Sequence, residues 1–291
     1  MHRALAAWLV ERPWHAAVAC GICGVLSFFL PFMLLACAIP VLVVLRVNIK
    51  LGLALALLAS VPWISVPTTA PVLWFSFAAA VFFGPVLLAM LLQRTGSMNL
   101  CFQLATLVCG LIVVAIHVLG PDPVKFWMEL IREAFAASGV EPDANLQALM
   151  QQFGASMWGL LVSAVLAGIL GALFLGRWWS GLIGSGVGFG AEFRSLRLGS
   201  VLGAIVTGVF VAMIFSNAPL VRSLVWIACS VLTLQGLAAA HRSKASGHLS
   251  QGRLTAIYVL LVVPISATIT ALVLAVWGYA DNWLRPRVHN A

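Results

Sequence analysis

The sequence predicts an all-α fold, a polytopic transmembrane helical bundle of about eight or nine hydrophobic segments at about 20 apolar residues each. Three observations predict it. Apolar residues fill 63% of the 291 positions and only 8% are charged, whereas a soluble domain carries about a quarter charged residues to cover its surface. The apolar residues follow one another in long runs from position 15 to position 278, with short polar breaks between them. Lys and Arg gather in some of those breaks and are missing from others. The same composition excludes a disordered chain, a disulfide scaffold and nucleic-acid binding as the main activity. A single membrane domain, 1–291, is expected.

The first run, 15–45, is too long for one span and too short for two. Pro31 and Pro40 interrupt it, so a broken or hairpin-like element is expected, closing at Arg46 and Lys50. No cleavage site in polar surroundings follows it, and the segment is expected to remain in the mature protein. Spans 51–66 and 71–92 are joined by an uncharged turn through Pro67, Thr68 and Thr69, and 100–119 follows the polar break 94–99.

Residues 120–154 differ in character, because they hold five of the eight acids: Asp122, Glu129, Glu133, Glu141 and Asp143. They read as two amphipathic helices forming an extracytoplasmic insertion. Asp122 and Pro123 suit an N-cap and the first helical position. Phe126, Leu130 and Ala134, and also Trp127, Ile131 and Phe135, recur at four-residue spacing, leaving Lys125, Glu129, Arg132 and Glu133 near the other side. After Pro142, a second stripe contains Leu146, Leu149, Met150 and Phe153. Such helices lie in the membrane interface or cap a cavity.

The span 156–176 carries a small-residue ladder, Ala164, Gly168, Ala172 and Gly176, suited to close approach by another helix. An interfacial, cytosolic segment, 177–198, comes next. Spans 199–215 and 220–240 flank a turn at Ser216, Asn217 and Pro219. A basic loop, 241–253, precedes the last span, 254–278, and a tail with Asp281, Trp283, Arg285 and Arg287.

Orientation follows from the bias of Lys and Arg toward the cytoplasm. With the acidic insertion outside, Arg3, Arg12, Arg46, Lys50, Arg94, Arg177, Arg194, Arg197, Arg242, Lys244 and Arg253 lie inside, eleven of the 16 basic residues. The N-terminus is then cytoplasmic, and the count of crossings leaves Arg285 and Arg287 outside. Attraction to anionic membrane lipid accounts for the net charge of +8 without a nucleic-acid partner.

No catalytic, cofactor-binding or metal-binding residues are expected, and the protein does not read as an enzyme. No Asp, Glu, Lys or Arg falls at the centre of a span, where it would flag an ion path. The six cysteines, Cys20, Cys23, Cys37, Cys101, Cys109 and Cys229, all lie in apolar runs and are expected to pack as small hydrophobes. Gly184, Ser185 and Gly186 hint at an intramembrane serine protease, but Ile183 stands where that motif wants glycine. Gln103, His117 and Gln235 are the candidate cavity-lining residues, each of which could equally bond a neighbouring helix.

The densest aromatic and charged stretch supplies a candidate interfacial or partner-binding surface: Arg177, Trp178, Trp179, Phe189, Glu192, Phe193, Arg194 and Arg197, with Asp281 and Trp283 from the tail. Its R-W-W at 177–179, its G-F-x-x-E-F-R-x-L-R-L at 188–198, the preceding acidic insertion, Leu45-Arg46 and the closing Asp281, Trp283, Arg285 and Arg287 resemble the YybS-like integral membrane proteins of bacteria. The resemblance spans nearly the whole chain. It departs at 185–189, where the usual Asn-Pro-Gly-Gly-Phe lacks its proline. It implies a bacterial inner-membrane protein with a fold similar to the S components of energy-coupling factor transporters, binding a small solute or lipid-like molecule near its outer face. S components dock a transmembrane partner through small residues on their first helix, and Ala16, Cys20 and Gly24 recur at that spacing here. The alternative expectation is a non-transporting scaffold whose 177–197 segment recruits a cytosolic or membrane protein.

Overall fold

The computed structural model describes residues 2–66, 68, 70–139, 148, 153–184 and 188–285. The described residues are helical almost throughout, with no strand among them. Five helices are long and apolar enough to cross a membrane, or six if one pair bent by 52° is a single broken span. Four further apolar helices are shorter. Large apolar side chains point outward along them, including Val72, Leu119, Phe215 and Ile265, each more than three-quarters exposed. Outward apolar surface on helices of this length is what lipid requires of a multi-pass membrane protein.

The chain forms two compact units, residues 1–101 with 164–192, and residues 102–163 with 193–291. Unit 1 contains α1 (His2–Glu11), α2 (Pro13–Val25), α3 (Leu30–Arg46), α4 (Ile49–Ile64), α5 (Pro71–Thr95) and the larger part of α8 (Met157–Ile183). Unit 2 contains most of α6 (Met98–Leu119), α7 (Pro123–Ser138), α10 (Gly199–Phe215), α11 (Pro219–Ala245), α12 (Gln251–Val262) and α13 (Pro264–Leu284). Of the three boundaries between units along the chain, one falls in α6, one in α8 and one inside the short helix α9 (Phe189–Ser195).

The first apolar run of unit 1 is a helical hairpin. It breaks at a 3-10 turn, Leu26–Phe28, and an extended Phe29, after which Pro31 starts α3 with its φ already helical. Pro40 does not break the run but lies buried inside α3. A proline there frees the carbonyl four residues earlier, that of Ala36. The Cys20 thiol, shared with the carbonyl of Leu55 at 3.3 Å, reaches that oxygen at 3.7 Å. The same arrangement recurs at Pro85 inside α5, whose freed carbonyl is Val81 and accepts from Cys37 Sγ at 3.4 Å. These two cysteines are therefore more than small hydrophobes: each supplies a donor where a helix has lost one.

At the far end of the hairpin, Trp63 stacks between Phe28 and Trp74 at 5.1 and 4.8 Å and donates its indole N–H to Ser27 Oγ at 2.6 Å. The face made by Ala16, Cys20 and Gly24 is covered: Ala16 and Cys20 are fully buried, and a side chain at Gly24 would meet the backbone of Ala59. The small-residue ladder on α8 packs only in part. Ala172 is buried and Gly176 lies against Val41 and Ala38 of α3, while Ala164 is exposed and Gly168 has open space beside it.

In unit 2 the expected span 254–278 is two elements. α12, only 12 residues or about 18 Å long, ends at an extended Val263, and Pro264 starts a separate 21-residue helix, α13. α13 runs parallel to α11. Thr233 Oγ1 donates to the Ala271 carbonyl at 3.0 Å, Gly236 lies against Leu274, and Arg242 pairs with Asp281 farther along both helices. Glycine is required at Gly236 and Gly278, because any Cβ would overlap the carbonyls of Leu274 and Leu232. The C-terminal ends of α11 and α13 therefore lie together. This corrects the expectation that Arg285 lies across the membrane from Arg242, since the short helix α12 leads the chain back along α11 before α13 begins, a reversal that the apolar pattern merged into one span.

α7 is capped by Asp122, whose Oδ1 accepts from Lys125 N–H at 2.9 Å, and ends at Gly139 in the left-handed conformation. Its Trp127 is buried against Trp158 at 4.9 Å, while Lys125, Glu129, Arg132 and Glu133 are exposed. The second expected amphipathic helix lies almost wholly outside the described residues.

Candidate functional site

Unit 1 has a cavity of about 300 Å3 where the C-terminal ends of α3, α5 and α8 meet, lined by Leu45, Arg46, Leu92, Gly96, Arg177, Ser180 and Glu192. Helix C-termini leave carbonyls without partners and carry about half a negative charge each. The polar side chains of the site meet those ends. Gln93 Nε2 donates to the Val44 carbonyl of α3 at 2.7 Å. Arg46 donates from Nε to Ser180 Oγ at 2.7 Å and from Nη2 to the Ser180 carbonyl of α8. Gly184 lies against the same guanidinium so closely that a side chain would displace it.

Arg177 and Glu192 line the same cavity. The guanidinium of Arg177 binds the carboxylate through both Nε, at 2.9 Å, and Nη2, with both side chains less than one-fifth exposed. Such a fork fixes orientation as well as charge. Two guanidiniums, one carboxylate and three negative helix ends leave the cavity close to electrical balance.

The other residues of the 177–198 segment are distributed inward and outward. Trp178 is half-buried with its ring 5.3 Å from His2. Trp179 is buried in the core of unit 1. Phe189 lies 5.9 Å from Phe174. In unit 2, Phe193 is buried with its ring 5.4 Å from His241.

A second polar cluster lies in unit 2, where the turn between α9 and α10 meets the ends of α11 and α13. Gly199 has φ +81°, so the chain turns there at little cost. Asn282, only 3% exposed, accepts from Gly199 N–H at 3.1 Å and donates to the Gly199 carbonyl at 3.0 Å. Gln235 is fully buried and accepts from Leu198 N–H at 3.0 Å. Gln103 Nε2 donates to the carbonyls of Arg197 and Leu198 at 3.0 and 3.1 Å. Arg197 Nη2 closes the end of α13 on the carbonyls of Asn282 and Arg285 at 2.8 and 3.2 Å. Arg242 donates to the Arg194 carbonyl at 2.7 Å and pairs with Asp281. Trp283 faces outward, 43% exposed.

The structure thus brings Gln103, Gln235, Arg194, Arg197 and Asp281 together around one turn. Backbone groups take up the amide nitrogen of Gln103 and the amide oxygen of Gln235, and the Gln235 amide nitrogen donates to Asp281 Oδ2 at 3.4 Å. His117 is elsewhere in unit 2, hydrogen-bonded to the Val113 carbonyl at 2.9 Å and within 3.4 Å of Ser223 Oγ. Sequence reasoning missed Asn282, Arg46, Ser180 and Arg242 as site residues. Asn282 was the unread middle residue between Asp281 and Trp283, and an amide in the last turn of an apolar helix is a usable signal. Ser180 carried none. Among the described residues no group of three or more His, Cys, Asp or Glu could hold a metal ion. Compared with family models, curated proteins and solved structures, the chain has no match.

Proposed function

We propose that this chain is a multi-pass protein of the bacterial inner membrane that binds a small polar solute, uncharged or zwitterionic, in the cavity between Arg46 and the pair Arg177 and Glu192. That cavity, polar-walled and positioned at three helix ends, is the observation that carries the reading. The positive-inside bias makes the Arg46 and Arg177 end cytosolic, together with the N-terminus. The solute site is then on the inner side of the membrane rather than beneath the acidic insertion. α7 would lie in the outer interface, apolar side down.

The reading keeps the proposed kinship with YybS-like proteins and S components. The cavity-lining Arg46, Arg177 and Glu192 all belong to the segments that carry that resemblance. A transmembrane partner would have to dock elsewhere than on Ala16, Cys20 and Gly24, since α3 and α4 already cover that face. The scaffold alternative is weaker, because Arg177, Glu192 and Arg197 are engaged within the chain.

The test is a thermal-shift screen of the detergent-purified protein against small polar metabolites, run on the wild type, Arg46→Ala and Glu192→Gln. A solute that stabilises the wild type and loses at least tenfold in affinity in both variants supports the reading. A stabilising solute that binds all three alike, or no stabilising solute at all, counts against it.

A further inference from the structure

The lining of the Arg46 cavity also narrows what it can take, because three kinds of group meet there. Arg46 donates from Nε and Nη2 to Ser180, so its guanidinium is held in one orientation and keeps Nη1 for another acceptor. Glu192 is the carboxylate among the described lining residues. Arg177 binds both of its oxygens, and a carboxylate has about four acceptor positions, so it can take a further donor while that pair stays intact. The end of α3 adds another acceptor. Its Val43 carbonyl accepts from the Val47 and Asn48 N–H groups and its Val44 carbonyl from Gln93, but no backbone N–H of the described residues reaches the Leu45 carbonyl. Leu45 and Leu92 are the apolar side chains among the described lining residues.

Size and charge then select among solutes. A cavity of about 300 Å3 has the room of about ten water molecules, which admits a solute of about that many heavy atoms and excludes a nucleotide or a lipid. A solute with a carboxylate alone would set like charge against Glu192. One with an amine alone would meet the guanidiniums of Arg46 and Arg177 in the same way, and like charges brought together cost affinity. A zwitterion avoids both. An α-amino acid carries a carboxylate, an ammonium and a side chain on one carbon, and the lining has a group for each. A guanidinium pairs with the carboxylate by charge-assisted bonds, and the ammonium supplies three donors to a carboxylate and a helix-end carbonyl.

We propose, on the reading that this cavity is the solute site, that the solute is a small neutral α-amino acid. Arg46 receives the carboxylate, and Glu192 with the Leu45 carbonyl receives the ammonium. A short apolar side chain lies against Leu92, itself buried at the edge of the cavity.

The experiment is isothermal titration of the full chain in neutral detergent with alanine and valine. Each is compared with its N-acetyl derivative, which lacks the ammonium, and its amide, which lacks the carboxylate. The expected result is saturable binding of the free amino acids to the wild type, with both derivatives at least tenfold weaker. Glu192→Gln should shrink the advantage over the N-acetyl derivative at least threefold, and Arg46→Ala should do the same to the advantage over the amide. A purely structural loss would weaken all the ligands alike and leave both ratios unchanged. A derivative that binds the wild type as tightly as its parent, or a ratio unchanged in the matching variant, overturns the proposal. The comparison of ligands on the wild type decides the matter even where a variant fails to fold. Should another small polar solute bind in dependence on Arg46 and Glu192 while neither amino acid does, the amino-acid assignment falls and the solute site stands. Should no solute bind at all, both fall.

Discussion

Asn282 and Gly199 exchange two hydrogen bonds, the amide oxygen accepting from the glycine N–H at 3.1 Å and the amide nitrogen donating to the glycine carbonyl at 3.0 Å. An asparagine used this way acts as a strand-like partner for a single residue of turn. It fixes the end of α13 against the entry to α10 without any charge.

Replacing Asn282 with Leu should therefore cost about 2–4 kcal/mol, because two buried backbone groups lose their partners at once. Asn282→Asp keeps the acceptor, loses the donor and should cost less than Leu. Melting temperatures in detergent, compared at constant lipid content, would check the order. A Leu variant as stable as the wild type would show that water takes over both bonds.

Gly236→Val and Gly278→Val should separate α11 from α13. Each places a side chain into a facing backbone carbonyl rather than into a flexible side chain. About 1–3 kcal/mol is the ordinary cost of overpacking, and backbone contact puts these variants at the upper end. Ile269, two-thirds exposed on α13, is the control position at which Ile269→Val should be silent. Size-exclusion profiles and melting temperatures distinguish the cases.

Parallel packing of α11 and α13 predicts that Ser246 and Leu284 lie on the same side of the membrane. Single cysteines at these exposed positions should label equally with a membrane-impermeant maleimide from one side and not from the other. Labelling from opposite sides would mean that α12 does not return across the bilayer.

Much of the fold was legible in the composition and the apolar runs, because lipid demands a simple pattern. The broken first run was legible too, through Pro31, whereas Pro40 lies within α3 and marks no break. What escaped was the division of 254–278, since a short apolar helix followed by Val263 and Pro264 has the same hydropathy as one continuous span. The site was half legible. Arg177 and Glu192 stood out as charges near tryptophans, but the pairing of Arg46 with Ser180 joins positions 134 residues apart and has no local signature. Gln103 and Gln235 were visible as amides in apolar runs, and their partners were not.

The thiols make the same point. Cys37→Ala should lose about 0.5–1.5 kcal/mol by leaving the Val81 carbonyl, freed by Pro85, without a donor, while Cys37→Ser should retain most of it. The double variant Cys37→Ala with Pro85→Ala should recover part of the loss, since alanine restores the helix's own N–H. A double-mutant cycle on thermal stability with no coupling between the two positions would contradict this account.

Because the Asn282 amide joins a turn 83 residues earlier in the chain, the order of synthesis matters for unit 2. The turn at Leu198 and Gly199 leaves the ribosome long before α13 exists, and its polar groups must wait at the bilayer surface for their partners. A later helix is thus the one that locks an earlier one in place, and a nascent chain stalled before it would hold an open, quality-control-sensitive edge.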